Sequence, residues 1–166
     1  DLRLLLLLFI LCYFILSLFF QGMGRHGRRE LTDIQIIFEG EQISLTALID
    51  SGHTLTDPAT NCPVTVVDCG CFAKLLPSEV RADEPVESLR RCQNFGIKGA
   101  RLIPYRAVGV ECGMLLALKV DQIRVGGRPQ GSVLVALSPT PVGDGEGYQA
   151  LVAPALGGEE SERTSA

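Results

Sequence analysis

The chain has 166 residues, a formal net charge of -4 and a hydrophobic fraction of 46%. That length suits one domain with an appendage. An acidic balance with scattered Lys and Arg lacks the basic face that nucleic-acid binding requires, so no nucleic-acid partner is expected.

The chain opens on Asp1 rather than methionine, so upstream sequence is expected. Residues 4–20, LLLLLFILCYFILSLFF, contain no charged side chain and show no polar face at a helical period. As a helix they would span roughly 26 Å, close to a hydrocarbon core. Arg25, Arg28 and Arg29 follow directly. Basic residues beside an apolar run favour the cytoplasmic side of a membrane, and they are not the small residues of a signal-peptide cleavage site. The expected organisation is a transmembrane helix over 1–24, a basic juxtamembrane linker over 25–30, a folded domain over 31–156 and a disordered polar tail over 157–166.

From Leu31 the pattern alternates. Ile34, Ile36 and Phe38 share one face, Gly40 turns the chain, and Ile43, Leu45 and Ala47 resume on a return strand, which predicts a β-hairpin. DPATNCP is turn-rich, and VTVVD predicts another strand. Residues 71–91 predict a short helix and a loop. RLIPYRAVGVECGMLLALKVDQIRV predicts a long hairpin with Gly109 and Gly113 near its tip. QIRV, GGRPQ and SVLVALS predict a further strand, turn and strand. The fold expected for 31–156 is therefore all-β, closed as a barrel.

The six cysteines are Cys12, Cys62, Cys69, Cys71, Cys92 and Cys112. Only Cys69 and Cys71 are close, as C-G-C, and the two histidines stand far apart, so metal-ligand spacing is absent. No metal and no cofactor are expected, and the thiols read as reduced.

ALIDSGHTL, residues 47–55, places a carboxylate at the end of an apolar strand. A buried charge is costly unless paired or hydrogen-bonded, so Asp50 either closes a turn or serves chemistry. Asp-Ser-Gly after such a strand is the signature of aspartic proteases. The strand delivers the Asp50 carboxylate, Ser51 offers a hydroxyl to lock the loop, and Gly52 lets backbone N–H approach the carboxylate. The chemistry needs two facing carboxylates that share a proton, one activating water and the other polarising the scissile carbonyl. Asp57 in a turn, Asp68 before C-G-C, Asp121 within a hairpin and Asp144 in GDGEG are poor second halves. One motif per chain implies a homodimer about a two-fold axis. Arg106, in IPYRAVG, is a candidate contact for substrate or for the Asp50 loop.

ALIDSGHTLTDPATNCPVTVVD and RLIPYRAVGVECGMLLALKVDQIRV resemble the sporulation sigma-E factor processing peptidases of endospore-forming bacteria. The resemblance covers most of residues 31–156. It implies a multi-helix membrane region, with residues 4–20 as its last helix, followed by a retropepsin-like protease domain on the cytoplasmic, mother-cell side that acts as a dimer. It implies pro-sigma-E as substrate, a forespore-derived signalling protein as partner and the cell membrane as location. Asp50 matches the catalytic carboxylate, Ser51 and Gly52 complete the motif, and the hairpin around Gly109 and Gly113 resembles a flap. The family pattern Asp-Thr-Gly-Asn is here changed at Ser51, which keeps the hydroxyl, and at His53, read as a surface histidine. Ala150 stands in YQALVAP where a glycine is expected. Two other classes fit the same residues: a catalytically inactive, membrane-tethered β-barrel sensor or scaffold, and a transporter or receptor fragment with an accessory β domain.

Overall fold

A computed structural model describes residues 10–14, 16, 30–107, 110–131, 133–143 and 147–157. Nine strands form one sheet in the order β4-β5-β8-β3-β9-β2-β1-β6-β7.

Strands β1 (Glu30–Phe38) and β2 (Glu41–Ile49) pair antiparallel from Glu30 opposite Ile49 to Phe38 opposite Glu41. The connection is tight because Glu39 and Gly40 both take positive φ, 51° and 84°, the combination that a twisted two-residue hairpin demands. The predicted face of Ile34, Ile36 and Phe38 is buried. Strand β3 (Val64–Asp68) is the expected VTVVD strand. The predicted helix and loop that follow are two helices, α1 (Cys69–Phe72) and α2 (Pro85–Asn94). Proline opens α2, where its missing N–H costs nothing.

Strands β4 (Arg101–Ala107) and β5 (Val110–Lys119) form the expected hairpin. Strands β6 (Gln122–Val125) and β7 (Arg128–Gln130) pair across Gly126 and Gly127. Strand β8 (Leu134–Ser138) does not continue that meander. It crosses to the other side of the sheet and lies between β5, antiparallel, and β3, parallel. Strand β9 (Ala150–Val152) lies between β2, parallel, and β3, antiparallel. Helix α3 (Pro154–Gly157) follows it.

Two apolar clusters cover the two faces of the central strands. The larger holds Ile34, Ile36, Phe38, Val67, Phe72, Leu116, Leu118, Val135 and Val152. The smaller holds Val64, Val66, Ile103, Leu115, Leu134 and Ala136. Four consecutive residues of β3 and four of β8 are therefore buried, the continuous pattern of strands covered on both faces.

Two expectations are corrected. The sheet is open, not a closed barrel: β4 pairs only with β5, and β7 only with β6. Both edge strands carry a proline, Pro104 in β4 and Pro129 in β7. Proline removes a ladder donor and is confined to edges, so neither strand is built to accept a closing neighbour. The crossing helix is the second correction. Among the described residues no helix is long and apolar enough to span a membrane. Residues 10–14 and 16 are helical. The rest of 4–20, the linker over 25–29, and residues 158–166 of the tail lie outside the described residues.

Candidate active site

Asp50 stands one residue past β2. Its N–H donates to the Val152 carbonyl at 3.0 Å, which continues the β2–β9 ladder to the carboxylate residue itself. The chain then turns: the His53 N–H donates to the Asp50 carbonyl at 3.0 Å, and the Gly52 N–H donates to Asp50 Oδ1 at 2.8 Å. A Cβ on Gly52 would lie 3.3 Å from that same Oδ1. A side chain at Gly52 would therefore crowd the carboxylate, which would have to give by a few tenths of an ångström. Ser51 is exposed.

His53 departs from the expected surface residue. It is half-buried, and its Nε2 lies 2.6 Å from the Val64 carbonyl. A carbonyl accepts, so this nitrogen carries the proton. The ring ties the Asp50 loop to the start of β3.

The same Asp-x-Gly turn occurs again. Asp68 Oδ1 accepts the Gly70 N–H at 2.9 Å and caps α1. The turn alone therefore does not mark a site. The surroundings separate the two carboxylates, because β2 and β3 run in opposite directions beside β9 and carry Asp50 and Asp68 to opposite ends of the sheet.

Asp50 faces a cleft of about 1230 Å³. Its floor is the smaller apolar cluster, reached at Val66, Leu115 and Leu151. One wall is the loop after Asp50, with Thr54, Leu55, Thr56 and Pro58. The other is β4, with Pro104, Tyr105 and Arg106. Among the described residues lining it, Asp50 is the sole carboxylate and Arg106 the sole Lys or Arg. Arg106 stands at a bulge, where the pairing slips between Tyr105 opposite Gly113 and Ala107 opposite Val110. A regular strand sends neighbours to opposite faces, and a bulge re-aims one of them. That slip lets Tyr105 and Arg106 line one cleft.

Gly113 is not at the hairpin tip. It lies within β5, opposite Tyr105, and a Cβ there would fall 2.3 Å from Tyr105 Cε1. Its absence of side chain makes room for the ring that walls the cleft. Gly109 lies outside the described residues. Ala150, in place of the expected glycine, is fully buried between Ala47 and Val67.

Sequence reasoning missed Asp57. Read as a turn residue, it is 1% exposed. It accepts from Thr60 Oγ1 at 2.7 Å, from the Ala59 N–H at 3.1 Å and from an Arg101 guanidinium nitrogen at 2.7 Å. The Thr60 hydroxyl, then the Ala59 N–H and Arg101, hold its carboxyl below the ordinary carboxylate value against the opposing effect of burial. The D-P-A-T spacing of an Asx turn was the available signal; the partner 44 positions away was not readable. The thiols of Cys69, Cys71 and Cys92 are pushed up by burial and stay protonated.

Known proteins supply the class first: a family model of peptidases matches residues 1–156. The chain belongs to that family, Peptidase U4, described as sporulation factor SpoIIGA. It is 32% identical over 135 residues to the sporulation sigma-E factor-processing peptidase of Priestia megaterium, covering 76% of this chain and 44% of that protein. It is 26% identical over 138 residues to the protein of the same name from Bacillus subtilis, with the same two shares. A relative from Bacillus thuringiensis subsp. kurstaki, also named for processing a sporulation sigma factor, is 30% identical over 137 residues, 76% of this chain and 84% of its own length. The chain thus spans less than half the length of the sigma-E factor-processing relatives it matches.

Proposed function

We propose that this chain carries the catalytic domain of an aspartic endopeptidase that removes the pro-sequence of a sporulation sigma factor. The observation that carries the reading is Asp50 itself. Its carboxylate is held by the Gly52 N–H at the end of a central strand and faces a cleft with an apolar floor. Family membership and the names of the relatives support a peptidase and a sigma-E precursor as its substrate.

An extended peptide lying over Val66, Leu115 and Leu151 would bring a carbonyl to Asp50, with Arg106 available to a carboxylate on the substrate. One carboxylate activates water and a second, protonated, polarises the carbonyl. The cleft's described lining offers one. The second is supplied by Asp50 of another copy, paired about a two-fold axis. Action at the cytoplasmic face of the cell membrane rests on the family resemblance. Control by a forespore-derived signalling protein rests on the family resemblance alone.

The decisive experiment is Asp50→Asn in the full chain, co-expressed with a sigma-E precursor. The amide cannot exchange the proton, so mature product should vanish while the far-ultraviolet circular dichroism is unchanged. Continued processing by a folded variant would remove Asp50 from the chemistry.

A further inference from the structure

The geometry points to Asp57 and Arg101 as a positioning pair that fixes the width of the cleft for an extended peptide. This inference deepens the peptidase reading and rests on it. Asp57 is buried, yet its neighbours Pro58, Ala59, Thr60, Asn61 and Cys62 are all exposed. A carboxylate folded inward from a surface loop needs full compensation, and three donors supply it.

Two of those donors, Ala59 and Thr60, are local and shape the turn. The third comes from the first residue of β4. Thr56 and Pro58, on either side of Asp57, line the cleft, whereas Asp57 does not. At this point the loop keeps Thr56 and Pro58 on the cleft and turns Asp57 to the protein behind it. Strand β4 runs on from Arg101 to Pro104, Tyr105 and Arg106, the opposite wall. The remaining bonds of the loop tie it to itself or to β3: Asp57 N–H to the Cys62 carbonyl, Asn61 N–H to the Asp57 carbonyl, Val64 N–H to the Leu55 carbonyl, and the His53 ring to the Val64 carbonyl. Among the described residues, the Arg101–Asp57 pair is the hydrogen bond that joins the loop wall to the β4 wall. Arg101 is partly exposed and Asp57 is not, so losing the arginine leaves the carboxylate short of a donor and frees the loop to move from β4.

The pair does not face the reacting atoms, so its loss should weaken binding more than chemistry. The test uses Arg101→Gln and Arg101→Lys in the full chain. Amide hydrogen exchange over residues 54–62 should accelerate about tenfold in Arg101→Gln, with β2, β3 and β8 unchanged, because a local opening and not global unfolding is released. Steady-state cleavage of a sigma-E precursor should show KM raised about tenfold and kcat within about twofold, the signature of lost uniform binding. Arg101→Lys, which keeps the charge, should recover most of both effects. Unchanged exchange in the loop, acceleration spread through the whole sheet, or a fall in kcat at constant KM would each overturn the assignment. If the unmodified chain cleaves no precursor, the peptidase reading falls by itself, and the exchange measurement still decides whether the pair holds the walls together.

Discussion

At the scale of single residues, the site depends on one short approach. The Gly52 N–H meets Asp50 Oδ1 at 2.8 Å, and a Cβ on Gly52 would meet the same oxygen at 3.3 Å. Gly52 lies outside the positive-φ region, so alanine there is not strained in the backbone. The cost falls on the carboxylate, which must shift by a few tenths of an ångström or lose its donor. A misplacement of 1 Å costs about a hundredfold in rate. Gly52→Ala should therefore lower kcat by about tenfold with little change in melting temperature. A large stability loss with kcat retained would show that the glycine serves folding instead. The strand end and turn at Asp50, Ser51 and Gly52 were legible because strand, carboxylate and glycine are contiguous. Asp57 was not, because its meaning depends on Arg101, which contiguity does not reveal. His53 was misread for the same reason: its partner is a backbone carbonyl 11 residues on.

At the scale of elements, local pattern carried further than pairing. The β1–β2 hairpin was readable from period-two alternation and a turn at Gly40, and VTVVD from its β-branched run. The position of β8 was not readable. Its sequence follows β7 directly, but its four buried residues need cover on both faces, which only a place between β5 and β3 provides. The same limit explains the expected barrel. Alternating strands predict a sheet; whether its ends meet depends on the edges, and here Pro104 and Pro129 occupy them. The β4–β5 hairpin gives a prediction at this scale. Tyr105 lies across Gly113, and a Cβ would sit 2.3 Å from its ring. Gly113→Ala should destabilise the domain by about 1–3 kcal/mol, the usual cost of overpacking. It should also push the ring out of the cleft wall. Tyr105→Ala in the same chain should restore stability but not activity. An additive loss in the double variant would deny the contact.

At the scale of the whole molecule, the proposed chemistry needs one carboxylate more than the described lining of the cleft offers. Asp50 is its sole carboxylate, and Asp68, the other Asp-x-Gly residue, is carried to the far end of the sheet. A proton-sharing pair requires two carboxylates side by side, so the proposed chemistry and the assembly stand or fall together. A closed two-fold dimer is the simplest assembly that brings one residue to meet its own copy. Chain mixing tests this without structural data. At a fixed amount of unmodified chain, an equal amount of Asp50→Ala chain is added and allowed to exchange. If each dimer needs both carboxylates, random pairing leaves about a quarter of all dimers complete, and processing of the precursor falls to about half its starting rate. At larger excess the rate keeps falling, as the square of the unmodified fraction times the total. If each chain works alone, the rate does not change at any ratio. If one Asp50 per dimer suffices, mixed dimers are active and the rate rises. Only the falling curve is compatible with a centre shared between two copies. A variant that cannot dimerise, added as a control in place of Asp50→Ala, should leave the rate where it began.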